Sequence, residues 1–149
     1  MSVTTSNVYA DELTSGLRAL LRLHLRSTLP FSGKVKLPSP ESQDKETYPR
    51  VVVRVQNQRE AVYQTGIYEA TVEFECDVDS DRGTPAEARA LFQSVLDFVQ
   101  RVSLKADVNA LGRVRVDGIV LGEIQLLLLG DRVWRKQIDV AFFGHCRVA

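Results

Sequence analysis

The chain has no excess charge of either sign: 19 Lys and Arg balance 19 Asp and Glu over 149 residues. A formal net charge of zero argues against bulk electrostatic attachment to nucleic acid, while leaving room for a local basic patch. Cysteine is scarce. Cys76 and Cys146 form no CxxC or other metal spacing, and without a secretory signal they read as reduced thiols rather than a disulfide. No purely apolar run is longer than Leu126 to Leu129, far short of the roughly 20 residues a spanning helix needs. Met1 to Ser6 lack both a basic region and an apolar stretch, so neither a signal peptide nor a membrane partner is expected. The glycines are scattered, and none follows a strand as GxGxxG or GxxxxGKS, which removes the usual phosphate loops.

What remains is an ordinary globular composition, 44% hydrophobic and 26% charged, in a chain long enough for one domain with a real core. At 100° per residue, Leu13, Leu17, Leu20, Leu21 and His24 fall on one side of a helix expected from about Tyr9 to Ser27. Arg18, Arg22 and Arg26 recur on the opposite side. Asp11 and Glu12 are expected in the first turn and Arg26 in the last, as the helix dipole favours. From 29 to 49 the periodicity vanishes, and Pro30, Gly33, Pro38, Pro40 and Pro49 mark a long loop.

Arg50 to Val55 reads as a β-branched strand, with the polar stretch Asn57 to Gly66 closing a long-armed hairpin. The next strand alternates strictly. Ala70, Val72, Phe74, Cys76 and Val78 face one way, while Glu69, Thr71, Glu73, Glu75 and Asp77 face the other, which is expected to be acidic and wet. Thr84, Pro85 and Glu87 form a capping-box start for a second helix, whose apolar stripe is Ala88, Leu91, Phe92, Val95, Leu96, Val99 and Val102. After Gly112, Arg113 to Asp117 alternates, with Gly118 and Gly122 interrupting as a bulge or bend. Glu123 to Leu129 and Val133 to Phe143 then pair across Gly130-Asp131-Arg132. The fold class expected is α+β: one domain, 1–149, with a mostly antiparallel sheet of about four strands and two amphipathic helices packed on one face.

The search for chemistry is short. His24 lies within the apolar helix stripe, as a packed or hydrogen-bonded core-edge residue would. His145 and Cys146 are neighbours, and on a strand adjacent side chains point to opposite faces, against a Cys–His pair. Glu73, Glu75 and Asp77 line one strand face, but no nearby feature separates their acidities as a general acid and base require. A solvated face or an interface rim explains them more simply. Asp77, Asp79 and Asp81 are spaced like a calcium loop, yet Gly83 falls one residue late and Thr84 opens a helix. No catalytic, cofactor or metal site is expected. The arginines, with Arg113 and Arg115 on a further strand face, read first as a solvated surface and second as a partner for an acidic face. Direct nucleic-acid reading ranks third, because no aromatic residues interleave with them.

The order of elements carries a resemblance. A leading amphipathic helix and a Pro-containing loop precede Tyr48-Pro49-Arg50-Val51-Val52-Val53. The long strand Gly66 to Cys76, the helix opening Thr84-Pro85-Ala86-Glu87 and a final hairpin with Trp134 follow. This order resembles the tail terminator (tail completion) family of tailed bacteriophages over nearly the whole chain. The resemblance implies a self-assembled ring, usually hexameric, that caps the tail tube and meets the neck or connector protein. It implies that double-stranded DNA passes through the lumen without sequence-specific binding, and that the protein resides in the virion after assembly in the bacterial cytoplasm. It supplies no catalytic residue. A ring needs two different complementary faces. The candidate interface residues are therefore Arg18, Arg22 and Arg26 on one side and Glu69, Glu73, Glu75 and Asp77 on the other. Another phage structural subunit, such as a tail-tube or head-completion protein, is the alternative, and a small ligand-binding α+β domain comes after it.

Overall fold

A computed structural model describes residues 5–38, 48–60, 67–81, 83–129 and 132–146. The centre of the long loop, residues 61–66 of the first hairpin and the tip of the last turn at 130–131 lie outside the described residues. Seven elements follow in order: α1 (Thr5–Thr28), β1 (Arg50–Glu60), β2 (Tyr68–Asp79), α2 (Pro85–Gln100), α3 (Leu104–Ala110), β3 (Val114–Leu129) and β4 (Val133–Cys146). A single 3-10 turn, Ser32–Lys34, follows α1.

The strands form one antiparallel sheet in the order β1-β2-β4-β3. A one-residue parallel bridge from Lys36 to Arg50 adds a fifth rung at the β1 edge. The expected alternation of β2 is borne out on its inner side. Ala70, Val72, Phe74, Cys76 and Val78 are buried with Ile138, Val140 and Phe142 of β4. Against this side α1 places Leu13, Leu17, Leu21 and Leu25, with Leu29 just past its end, and α2 places Leu91, Val95, Phe98 and Val99. Side chains at i, i+4 and i+7 share one helix face, so one stripe from each helix suffices to close the core.

Several boundaries move. Because α1 starts at Thr5, Asp11 and Glu12 fall beyond its first turn, and Glu12 pairs with Arg113 at 3.0 Å instead of serving the dipole. β1 runs on to Glu60 through an irregularity between Val55 and Asn57, so residues read as loop are ladder. The capping box of α2 forms as expected, with Thr84 and Glu87 bonded reciprocally. The helix ends at Gln100, leaving Val102 in a turn and fully exposed rather than on the stripe. The short helix α3 was not expected. It buries Leu104 and Val108, and the Asn109 side chain clamps both backbone groups of Val116. The two segments around Gly118 and Gly122 are one continuous strand, with register shifts at both glycines.

Gly144 is the tightest backbone approach. A Cβ there would overlap the backbone carbonyl of Arg115 and lie 3.0 Å from the Tyr9 hydroxyl oxygen. Neither the paired strand nor the buried ring can retreat, and overpacking costs about 1–3 kcal/mol or more. Gly144→Ala is expected to lower the urea midpoint accordingly; an unchanged midpoint would show that the β3/β4 spacing is looser than described.

Candidate functional site

The outer side of the sheet departs most from expectation. The acidic side of β2 is not wet: Glu73 is 7%, Glu75 5% and Asp77 0% exposed. The cause lies on the flanking strands. Antiparallel register sets Arg50 and Arg135 on either side of Asp77, and Arg54 beside Glu73. Arg135 forks onto Asp77 at 2.7 and 3.0 Å and reaches Glu75 at 2.9 Å. Arg50 adds a third bond to Asp77 at 3.1 Å, and Arg54 reaches Glu75 at 3.0 Å. The guanidinium groups are the lid. Their planar forks satisfy two carboxylates at once, which is how charges are kept in a partly dry setting. The Asp77 carboxylate in turn holds Arg135 more firmly in its charged form.

One end of this ladder is under-compensated. Glu73 faces Arg54 only at 3.8 Å and stands opposite Asp139 across β2 and β4. Burial, and then the neighbouring Glu75, raise the Glu73 pKa; burial likewise raises that of Asp139. One oxygen of Asp139 is buried with no hydrogen-bond partner among the described residues. A raised carboxylate pKa means that the folded state binds protons more readily than the unfolded state. Stability is then lost as pH rises through the window above the ordinary Glu value. Glu73→Gln should raise the urea midpoint at pH 7, with the gain fading below pH 4. A variant less stable than wild type at pH 7 would show that Arg54 compensates Glu73 fully.

Glu69 is half-buried and pairs with Arg59 at 2.8 Å. Asp79 accepts the Asp81 amide at 2.8 Å while Asp77 points into the arginines, so the calcium-like spacing does not converge. The His24 Nε2–H donates to the Ser94 carbonyl at 2.9 Å, and its ring packs on Phe98 at 5.5 Å. Burial lowers the His24 pKa, as for a neutral histidine at a core edge. His145 stands 3.6 Å from Asp117, while the Cys146 side chain lies outside the described residues. Arg113 and Arg115 pair with Glu12 and Asp117.

The candidate interface is thus split. Its acidic half, Glu69, Glu73, Glu75 and Asp77, faces arginines of the same chain, with the Glu73–Arg54 pair the longest at 3.8 Å. Its basic half is different. Arg22 and Arg26 are exposed and Arg18 half-exposed on α1, and none has a carboxylate within ion-pair distance among the described residues. Arg22 and Arg26 line a cleft of about 260 Å³ with Lys36, Ser32 and Gly33.

Sequence reading missed the second surface. β3 is an edge strand, and its distal half escapes the helices. Val120 is 57%, Leu126 71% and Leu128 57% exposed, with Leu121, Ile124 and Leu127 near 40%. Register places Leu121, Ile124, Leu126 and Leu128 opposite Val140, Ile138, Lys136 and Trp134, on the core side of the sheet. The core therefore continues sideways into an uncovered apolar stripe. An open groove of about 520 Å³ meets its near end, lined by Val99, Val102, Ile119 and Leu121 together with the polar Gln100, Arg101 and Lys105. The available signal was the run Leu126 to Leu129 beside Ile124 and Leu121, apolar on both strand faces, where a half-buried strand alternates.

No protein-family model matches the chain, and no curated protein does. Among solved structures, a chain described as the virion of a native gene transfer agent (GTA) particle aligns over 88% of this chain and 96% of its own length. The two share 17% sequence identity at a TM-score of 0.49.

Proposed function

We propose that this protein is a structural subunit of a phage-like virion, and within it a tail terminator: a ring that caps the tail tube and joins it to the neck. The observation that carries the assembly role is the uncovered half of β3. A long, apolar edge strand is a hazard that soluble monomers blunt with charge, proline or a cover. Between Gly118 and Leu129 this strand carries Glu123 as its single charge and no proline. Leu121, Ile124, Leu126 and Leu128 form one exposed apolar stripe on the core side of the sheet, and contiguous stripes of this kind mark interaction sites. The terminator reading adds to this the order of elements, helix, loop, hairpin, helix, hairpin, which resembles that family.

No catalytic role is part of this reading. The neighbouring copies, the tube protein and the connector are its partners. A tail-tube or head-completion subunit would use the same edge and differ in which end it caps. Mass in solution, followed by negative-stain imaging with and without tail tubes, tests the proposal. Rings that seat on tube ends and stop growth support it. A monomer indifferent to tubes at high concentration removes it.

A further inference from the structure

We propose that the cleft beneath the C-terminal half of α1 is a binding site for the phosphodiester backbone of DNA, with Arg22, Arg26 and Lys36 as its cations and Arg18 extending it by one turn. The balanced net charge conceals this surface because the two signs are partitioned in space. Arg50, Arg54, Arg59, Arg101, Arg113, Arg115, Arg132 and Arg135 each stand within ion-pair distance of a carboxylate. Glu73, Glu75, Asp77 and Asp79 are buried and contribute little to the outer field. Among the described residues no carboxylate stands within ion-pair distance of the three arginines that repeat every fourth residue on α1.

Geometry favours a polyanion over an isolated ion. Residues one turn apart rise by about 6 Å along a helix, and a DNA strand presents a phosphate about every 3.4 Å of axis. The stripe thus offers a cation to roughly every second phosphate. Lys36 stands across the cleft from the helix, at the rung that joins the loop to β1, so the backbone is approached from two sides. Among the described residues no aromatic side chain lines the cleft, so bases are not stacked and binding is independent of sequence. An acidic protein surface is the competing occupant. The chain's own acidic strand is not that surface, being buried under its own arginines.

The test uses the purified full chain, a fluorescein-labelled duplex of arbitrary sequence and anisotropy as the readout. Three phosphate contacts predict that affinity falls about 40-fold between 50 and 200 mM salt. Arg22→Gln with Arg26→Gln should weaken binding at least 10-fold at about 50 mM salt and flatten the salt slope by about 2. Arg89→Gln, on the exposed side of α2, should stay within about twofold of wild type. Circular dichroism of each variant confirms that it is folded, which the exposure of the substituted arginines favours. Salt-independent or absent binding by the wild type overturns the proposal. So does a double variant that binds DNA like wild type, and if that variant also loses self-assembly, the stripe meets protein instead. Affinity is read on dispersed protein, so a failure of the ring reading leaves this test standing.

Discussion

Arg135→Met is expected to destabilise the chain by about 3 kcal/mol or more, seen as a large drop in urea midpoint and melting temperature. Removing one partner of a buried ion pair costs roughly 3–5 kcal/mol, because the other charge is left uncompensated. Here the groups that lose a partner are Asp77, whose side chain is 0% exposed, and Glu75, at 6%, against 21% for Arg135. Arg50 remains within 3.1 Å of Asp77, which places the expectation at the lower end of that range. The loss should be mostly recovered in Asp77→Asn with Arg135→Met, since a double-mutant cycle separates the cost of a stranded charge from the cost of lost packing. A single variant within about 0.5 kcal/mol of wild type would mean that water reaches Asp77 freely.

Leu126→Lys with Leu128→Lys is expected to weaken assembly about 100-fold or more without unfolding the subunit. Burying a leucine is worth roughly 1.5–3 kcal/mol, and each factor of ten in affinity is about 1.4 kcal/mol. Both side chains are more than half exposed in the isolated chain, 71% and 57%, so little folding energy rests on them. The variant should keep the wild-type urea midpoint within about 0.5 kcal/mol. It should stay monomeric in sedimentation at concentrations where wild type forms its oligomer. Equal loss of folding and assembly would show that this half of β3 is held by the chain's own core.

These two expectations rest on different parts of the sequence's legibility. The inner layer was readable because each element carries its own period. Leu13, Leu17 and Leu21 mark a helix, Val72, Phe74 and Cys76 mark a strand, and Thr84 with Glu87 marks a helix start. The outer layer was not. Whether Glu75 and Asp77 meet water depends on what the flanking strands place beside them, and register is a long-range property. Nothing local to β2 announces Arg135, 58 residues away. α3 escaped notice for a different reason: at seven residues, it shows only Leu104 and Val108 as apolar signal.

The same distinction explains the two candidate surfaces. Arg18, Arg22 and Arg26 were visible as a stripe because helical spacing is local. That no carboxylate among the described residues reaches them depends on where the fold sends the carboxylates, which is not local. The apolar half of β3 was written in the sequence as a run, but the helices' failure to cover it is a fact of packing.

Amide hydrogen exchange reads directly whether the free edge of β3 is covered when this protein assembles. Exchange is followed across residues 120–128 in dispersed protein and in protein assembled alone or on tail tubes. The account predicts fast exchange of the outward-facing amides in the dispersed chain and strong protection on assembly, with β2 protected in both. Unchanged exchange along β3 in a demonstrated assembly would contradict it and move the interface elsewhere on the subunit.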